Sequence, residues 1–254
     1  MKVSKHIRVD VFFTPLELDE MYLKDKNIVV IDVLRSSASI AMALQNGAKE
    51  IIPVSNIESA VKISGSLFGD VTLRAGERNS KMIEGFNLGN SPAEFAQDIV
   101  KGKSIIFMTT NGSGAILKGR YAKNLVVASF VNLSAVISFL KTLVEDFVII
   151  CAGAENNFCI EDAVCAGKII EGLKKEIDHP LILNDAGSAA VALNKHHGRS
   201  ILKMLRSSEH GKYLLEIGFD KDLKVCGEID SIHILPQLMG NVLRISKPVG
   251  ISSG

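Results

Sequence analysis

Three segments of the sequence share one pattern, in which a short hydrophobic run passes into a loop of polar and small residues and then into a helical pattern. The segments are VVIDVLRSSASIAMAL (29–44), IIFMTTNGSGAIL (105–117) and VIICAGAENNFCIEDAVCAG (148–167). Each run shows little alternation, which is typical of a strand buried on both faces. In an open parallel sheet, such loops lie together at the carboxyl edge, where ligands bind. The pattern therefore predicts an α/β fold and directs attention to the three loops.

Further runs of the same kind extend the predicted sheet, and helical patterns occupy most of the intervals. The predicted strands are Ile28–Leu34, Glu50–Val54, Val71–Ala75, Ser104–Met108, Asn124–Ala128 and Phe147–Cys151. The predicted helices are Ser37–Asn46, Ile57–Leu67, Asn90–Val100, Ser113–Leu117, Leu133–Leu143 and Ile160–Leu173. Strands that alternate with helices indicate a largely parallel sheet with helices on both faces.

The two ends of the chain follow other patterns. Apolar residues alternate over His6–Phe13, which predicts an edge or antiparallel strand and so a mixed sheet. Beyond Leu173 the predicted elements are helices over Leu181–His196 and Gly198–Leu215 and strands over Ser231–Leu235 and Val242–Ile245. We find no Pro-, Gly- or Ser-rich linker, so we predict a single domain over 1–254, or two closely joined lobes that divide near 173–180. The tail, 248–254, is expected to be loosely held.

Composition excludes several classes of function. The formal net charge is +1 and tryptophan is absent, so neither a basic field nor a stacking platform favours nucleic acid. No apolar run is long enough to span a membrane, and the first residues show no signal-peptide pattern. The four cysteines form no C-x-x-C pair, which favours reduced thiols in the cytoplasm. We expect a homodimer, because two-fold assemblies are the most common.

The first loop combines a carboxylate with a guanidinium and two hydroxyls. Asp32 lies in an apolar strand, where an unpaired charge is costly, so it should meet a cation or a metal ion. Arg35, Ser36 and Ser37 follow at a helix start, a combination that suits a phosphate or a sulfonate. The alternative is a structural Asp32–Arg35 ion pair with a serine as the helix cap.

A long polar connection follows the strand that ends at Ala75. It carries Glu77 and Arg78, and then Asn87 and Asn90 before a Ser-Pro helix start. Ordered loops of this length in compact domains are usually functional. The alternative is a solvated loop that ends in a helix cap.

The loop after the 104–108 strand is Thr109-Thr110-Asn111-Gly112-Ser113-Gly114. Its side chains offer donors and acceptors, and its glycines let backbone N–H groups approach a ligand. The loop does not match a Walker A motif or the G-x-G-x-x-G fingerprint.

The third loop leads to two adjacent acids, Glu161 and Asp162, in the first turn of a predicted helix. Carboxylates there favour the helix dipole, which is a sufficient structural explanation. With Asp32 nearby they could instead form an oxygen-rich Mg²⁺ site, which needs only one or two protein carboxylates. The six histidines show none of the spacings typical of zinc sites, and we expect His196 and His197 to lie on a solvated face.

Taken together, these motifs resemble the 2-phosphosulfolactate phosphatase (ComB) family. The matching residues are Asp32 to Ser37, Gly76 to Arg78, Gly85 to Pro92, Thr109 to Ser113, Cys151 to Gly153, Glu161-Asp162 and Ala166-Gly167. The resemblance covers most of the chain, from about Val9 to Pro236, and its specificity lies in the order and spacing of the motifs.

The resemblance implies a three-layer α/β/α fold and a Mg²⁺-dependent phosphatase. The enzyme would cleave (R)-2-phospho-3-sulfolactate to 3-sulfolactate and phosphate, a step of sulfonate metabolism that includes coenzyme M synthesis. This substrate carries a phosphate, a carboxylate and a sulfonate, so several anion-binding groups are needed at one place. The residues expected to bind it are Ser36, Ser37, Asn87, Asn90, Ser91, Thr109, Thr110, Asn111, Gly112 and Ser113.

For the mechanism, our hypothesis is that Mg²⁺ on Asp32 and on one of the two adjacent acids neutralises the phosphoryl group. Arg35 and Arg78 would stabilise its equatorial charge, and Glu77 would activate water. Asp32 as a covalent nucleophile is the rival hypothesis. Two other functions stay open: a non-catalytic binder of a small phosphorylated or sulfonated acid, and a phosphatase for another 2-phospho acid.

Overall fold

The computed structural model describes residues 6–16, 18–66 and 72–246. Within them the chain forms one mixed β-sheet with helices on both faces, about 44% helix and 23% strand. This confirms the predicted α/β/α architecture. The predicted loose tail, and the ends of two predicted elements at Leu67 and Val71, lie outside the described residues.

Eleven strands of the described residues form the sheet, in the order β5-β4-β6-β3-β11-β10-β7-β2-β8-β1-β9. They are β1 (Ile7–Phe12), β2 (Asn27–Ile31), β3 (Glu50–Pro53), β4 (Thr72–Arg78), β5 (Lys81–Met82), β6 (Ser104–Met108), β7 (Asn124–Ala128), β8 (Phe147–Cys151), β9 (Leu181–Leu183), β10 (Pro236–Met239) and β11 (Val242–Ile245).

Two parallel segments make up most of the sheet. One contains β9, β1, β8, β2 and β7, and the other contains β3, β6 and β4. The antiparallel hairpin of β10 and β11 lies between them, through the register pairs Gln237–Val126 and Leu243–Ile51. The sheet is therefore mixed because of a late hairpin and the edge strand β5. The first strand, predicted as an edge or antiparallel strand, is parallel and lies between β8 and β9.

The α-helices of the described residues are α1 (Glu20–Leu23), α2 (Ser36–Gln45), α3 (Ile57–Ser66), α4 (Gln97–Val100), α5 (Gly112–Lys118), α6 (Leu133–Leu143), α7 (Ile160–Glu176), α8 (Asp185–His197), α9 (Ile201–Ser207), α10 (Glu209–Glu216) and α11 (Asp220–Gly227). None of these described helices has both the length and the apolar character needed to cross a bilayer.

Alternate residues of the central strand β2 enter different cores, which is why helices cover both faces. Val29 and Ile31 pack in the cluster formed with α6, α7 and the C-terminal helices. Ile28 and Val30 pack on the opposite face, mainly with α2 and α5. All four side chains are almost fully buried, so the β-branched run without alternation has the environment that its sequence indicates.

Several predicted elements differ from the structure for identifiable reasons. The predicted helix over 90–100 is a 3₁₀ turn, Pro92–Glu94, followed by α4, because Ser91 and Glu94 cap the turn and Ala96 is extended. The start of the predicted 181–196 helix is β9, which pairs with β1, and Asn184 caps α8 after it. Ser208 caps α10 and so divides the predicted 198–215 helix. Residues 231–235 contain no strand, and the pairing begins at Pro236.

Candidate functional site

The polar loops meet at one edge of the sheet, around a cavity of about 920 Å³. All three loops singled out from the sequence contribute to it, together with the turn after β4 and one face of α10. The residues that line it are Asp32, Leu34, Arg35, Ser36, Glu77, Asn79, Ser80, Asn90, Thr110, Asn111, Ala154, Glu155, Asn157, Phe158, Cys159, Ile160, Glu161, Glu209, His210 and Tyr213.

Asp32 follows β2 directly and lies against the start of α2. Its Oδ1 accepts the backbone N–H of Ser36 at 3.3 Å. Burial raises the pKa of Asp32 to about 6, and the charge of Glu77 adds to the rise, while hydrogen bonding from Ser36 opposes it. Gly112 allows the close approach of the second loop, since a Cβ there would lie 2.5 Å from Asp32 Oδ2. A buried carboxylate is thus held between two helix starts.

The adjacent acids of α7 have different surroundings. Glu161 lines the cavity, and burial raises its pKa to about 7, with the charge of Asp32 adding to the rise. Asp162 accepts the backbone N–H of Val33 at 2.9 Å through Oδ1 and that of Gly153 at 3.1 Å through Oδ2. Because both oxygens of Asp162 hold loop backbone, Asp162 connects the loops after β2 and β8. Of the two acids, Glu161 faces the cavity.

Arg35 lines the cavity, but its ion pair is not the one considered from the sequence. Its Nη1 donates to Asp222 of α11 at 2.7 Å, and both side chains are almost fully buried. Its Nη2 donates to the carbonyl of Ser80 at 3.0 Å, and the guanidinium lies 4.1 Å from the ring centre of Phe219. The alternative of a structural Asp32–Arg35 pair is therefore wrong: Arg35 is held by the C-terminal helices.

Glu77 anchors two loops to each other. Its Oε2 accepts the backbone N–H of Ser80 at 2.7 Å, and its Oε1 accepts that of Thr110 at 2.7 Å. The Thr110 hydroxyl also donates to Oε2, at 3.2 Å. Arg78, the next residue, is exposed at the end of β4 and is not among the lining residues. The turn after β4 instead presents Asn79 and Ser80 to the cavity.

Most of the hydroxyls predicted to bind substrate hold the loops themselves. Ser37 Oγ accepts the backbone N–H of Asp32 at 2.9 Å. Thr109 and Ser113 bond reciprocally, each side-chain oxygen accepting the other's backbone N–H. Ser36 Oγ donates to Thr109 Oγ1 at 3.1 Å. Through these bonds, the hydroxyl groups find their hydrogen-bond partners within the loops themselves. Of these four side chains, only that of Ser36 lines the cavity.

The predicted asparagines also separate into two groups. Asn87 is exposed and accepts the backbone N–H of Arg74 at 2.8 Å, so it closes the loop away from the cavity. Asn90 is buried and lines the cavity, and its Oδ1 has no hydrogen-bond partner among the described residues. Asn111 Oδ1 accepts the backbone N–H of Glu155, which joins the second and third loops. Ser91 Oγ donates to Asp222 at 2.7 Å and so belongs to the support of Arg35.

Comparison with known proteins identifies the family. The sequence model described as 2-phosphosulpholactate phosphatase matches residues 12–241. The chain belongs to this family. A relative from Caldanaerobacter subterraneus subsp. tengcongensis is 40% identical over 230 residues, which cover 91% of this chain and 95% of the relative. One from Thermotoga maritima is 38% identical over 239 residues (92% and 96%), and one from Clostridium tetani is 34% identical over 238 residues (94% and 100%).

All three relatives carry the name "Probable 2-phosphosulfolactate phosphatase". Phosphatases of this kind are phosphoric monoester hydrolases, and the resemblance stated from the motifs is confirmed at the level of the family.

Sequence reasoning missed the contribution of the C-terminal helices to the cavity. His210 and Tyr213 of α10 line the cavity, and Asp222 of α11 holds Arg35. Burial lowers the pKa of His210, and the positive charge of Arg35 adds to this effect. No local spacing signals these residues, because they reach the site only through the packing of helices distant in sequence. Cys159, two residues before Glu161, also lines the cavity and was not among the site residues predicted from the sequence.

The charges of the lining are unbalanced. The described residues around the cavity include five carboxylates, namely Asp32, Glu77, Glu155, Glu161 and Glu209, against one guanidinium and one imidazole. The guanidinium, Arg35, is already paired with Asp222. A cavity with this lining attracts cations and repels small polyanions unless a cation accompanies them.

Proposed function

We propose that this protein hydrolyses (R)-2-phospho-3-sulfolactate to 3-sulfolactate and phosphate in a reaction that needs Mg²⁺. Membership of the 2-phosphosulpholactate phosphatase family supports the substrate class. In the reaction, a water oxygen bonds to phosphorus, the bond between phosphorus and the C2 oxygen breaks, and that oxygen takes a proton.

The observation that carries the proposal is the acidic lining of the cavity. The substrate brings a phosphate, a carboxylate and a sulfonate into a space with five carboxylates and one arginine. Coulomb repulsion between like charges is large where water is partly excluded. The lining therefore suits a substrate that enters together with a divalent cation, and it suits an anion-binding protein without metal poorly.

The residues present fit Mg²⁺, which prefers oxygen ligands and retains several waters. Asp32, directly after β2, and Glu161, in the first turn of α7, offer carboxylate oxygens, and the described residues form no salt bridge with either. The unpartnered Oδ1 of Asn90 offers a further oxygen at the same cavity. Bound there, Mg²⁺ would offset the negative charge of the phosphoryl group. Asp162 was also predicted as a ligand, but its bonds to Val33 and Gly153 favour Glu161.

Arg35 is the residue that we expect to contact the phosphoryl group. Asp222 and Ser80 hold two of its nitrogens, and Phe219 packs against its plane, so the guanidinium has little freedom. A fixed donor favours the transition state because it needs no reorganisation. Glu77 is a weaker candidate for the base than the sequence suggested, since both its oxygens accept hydrogen bonds from loop backbone.

Asp32 retains two candidate roles, as a metal ligand and as a nucleophile. Its raised pKa leaves it mostly ionised at neutral pH, which serves both. Acid quenching during turnover separates the two roles. Phosphate trapped on Asp32 would establish the covalent route, and its absence at a time resolution faster than turnover would favour direct attack by water.

The first test is phosphate release from racemic 2-phospho-3-sulfolactate, with Mg²⁺ and with EDTA, and with phospholactate as the matched substrate that lacks the sulfonate. We expect release that requires Mg²⁺ and favours the sulfonated compound. Equal release from both compounds would support a phosphatase for another 2-phospho acid. Binding without release from either compound would replace the proposal with a binding protein.

The proposal extends to the compartment in which the protein acts, the use of its product and its oligomeric state. All four cysteines are free and buried, which supports a reducing compartment such as the cytoplasm. We propose that the product serves sulfonate metabolism, of which coenzyme M synthesis is one branch, and that the enzyme is a homodimer. Sedimentation velocity would report the assembly directly.

A further inference from the structure

Three side chains in the cavity wall lie close together, although the proposed phosphatase reaction does not use all three together. Cys159 and Glu161 lie at the start of α7, and His210 lies in α10. The Sγ of Cys159, a carboxylate oxygen of Glu161 and a ring nitrogen of His210 all lie within 4.8 Å of one another. Cys159 and Glu161 are buried and His210 is partly exposed, so the group lies in the cavity wall.

The three ligand types select one class of metal ion. A thiolate, a carboxylate and an imidazole together suit Zn²⁺ and its substitute Co²⁺, whereas Mg²⁺ prefers an all-oxygen site. Ligand atoms of a single tetrahedral zinc ion lie about 3.5 Å apart, so shifts of about 1 Å would close the group around an ion. The open side of the group faces the cavity, which leaves the fourth position to water and provides the route of entry.

The charges around the group favour a cation. The negative charges of Asp162, Glu161 and Asp32 all act on the thiol of Cys159. Arg35 is a positive charge that acts on His210, and it is paired with the buried carboxylate of Asp222 at 2.7 Å. A dication at the group therefore gains from a surplus of negative charge.

We propose that Cys159, Glu161 and His210 form a binding site for one Zn²⁺ ion per chain. The site differs in chemistry from the oxygen site proposed for Mg²⁺ but shares Glu161 with it. A consequence, which rests on the proposed function, is that Zn²⁺ competes with Mg²⁺ and inhibits phosphate release.

The test uses Co²⁺ as a spectroscopic probe of the full-length protein, after treatment with EDTA, removal of the chelator and reduction with a phosphine. A thiolate bound to Co²⁺ produces a charge-transfer band in the near ultraviolet, which a site made only of oxygen ligands lacks. We expect this band to saturate at one Co²⁺ per chain and to disappear when Zn²⁺ is added in equal amount. Absence of the band in the wild-type protein would overturn the proposal.

Two variants and one control assign the band. Cys159→Ser should abolish the band, and His210→Gln should weaken Co²⁺ binding by more than about tenfold, because one of three protein ligands is lost. Cys165→Ala is the control, because Cys165 is also buried in α7 but lies in the core, outside the cavity. Its band should equal that of the wild type. A band that survives Cys159→Ser, or one that is lost in the control while the fold is intact by circular dichroism, would refute the assignment.

The measurements distinguish a failure of the proposed zinc site from a failure of the proposed phosphatase function. The cobalt band requires no substrate, so an inactive protein that shows the band retains the zinc site and loses the proposed phosphatase function. An active, Mg²⁺-dependent protein without the band keeps the phosphatase function and loses the zinc site.

Discussion

The buried carboxylate of Asp32 leads to a quantitative prediction for Asp32→Asn. Burial raises the pKa of Asp32 from 3.8 to about 6. The folded state therefore binds this proton more tightly than the unfolded chain, and stability falls as the pH rises from about 4 to about 6. A rise of this size corresponds to about 3 kcal/mol at neutral pH. An amide keeps the shape of the side chain and an acceptor for the N–H of Ser36, but it carries no charge.

We therefore expect Asp32→Asn, in EDTA at pH 8, to be more stable than the wild type by about 3 kcal/mol, with the difference vanishing below about pH 4. The assay is urea denaturation over this pH range, followed by circular dichroism. Phosphatase activity should be lost in the same variant, so the residue would be costly for the fold and essential for the reaction.

The control for that experiment is Asp220→Asn. Asp220 is a partly exposed carboxylate, and hydrogen bonds from Arg206 and Lys224 lower its pKa, so its replacement should give no gain in stability at pH 8. A variant Asp32→Asn that is no more stable than the wild type at pH 8, or whose gain in stability is independent of pH, would contradict a costly buried charge at Asp32.

Three further substitutions test other parts of the site. Gly112→Ala should lower kcat/KM by about 100-fold or more, because its Cβ would displace Asp32, and steady-state kinetics will show whether activity survives. Asp222→Ala should destabilise the fold by about 3–5 kcal/mol, since it leaves the buried guanidinium of Arg35 unpaired, and a urea midpoint equal to that of the wild type would contradict this. Arg78→Ala should change kcat/KM by less than about twofold, because Arg78 is exposed, and a large loss would return it to the site.

The parts of this site that follow from local sequence were predictable. Buried strands that run into polar loops placed Asp32 and Glu161 at one edge of a parallel sheet, and the structure brings both to the same cavity. Which residues of each loop face the cavity and which hold the loop backbone was not predictable. Whether a hydroxyl faces a ligand or the neighbouring backbone depends on the backbone dihedral angles of the loop. Ser37 and Ser113 illustrate this, since both accept backbone N–H groups.

Contacts between distant segments were out of reach for another reason. The carboxylate that holds Arg35 comes from Asp222, 187 residues further along the chain. Its helix carries no motif, and an exposed amphipathic helix would have the same pattern. The same holds for His210, whose place in the cavity wall depends on how α10 packs rather than on its neighbours in sequence.

The order of the strands has a geometric consequence for the cavity. Four strands, β3, β11, β10 and β7, separate β6 from β2 in the sheet. Across a flat sheet, this corresponds to about 24 Å. Nevertheless, the loops that follow β6 and β2 touch, with the Cβ position of Gly112 only 2.5 Å from Asp32. The sheet must therefore curl, so that the ends of strands that are distant in the strand order converge.

The helix α5 contacts both β2 and β3, and it spans the inside of the curl. Gly119, which caps the C-terminus of α5, allows close packing on two strands: a Cβ there would lie 2.5 Å from the side chain of Leu125 in β7 and 3.2 Å from that of Ile28 in β2. How closely α5 approaches the sheet therefore depends on buried residues that lie outside the cavity lining. A larger residue at position 119 would push the end of α5 away from the sheet without changing any residue that lines the cavity.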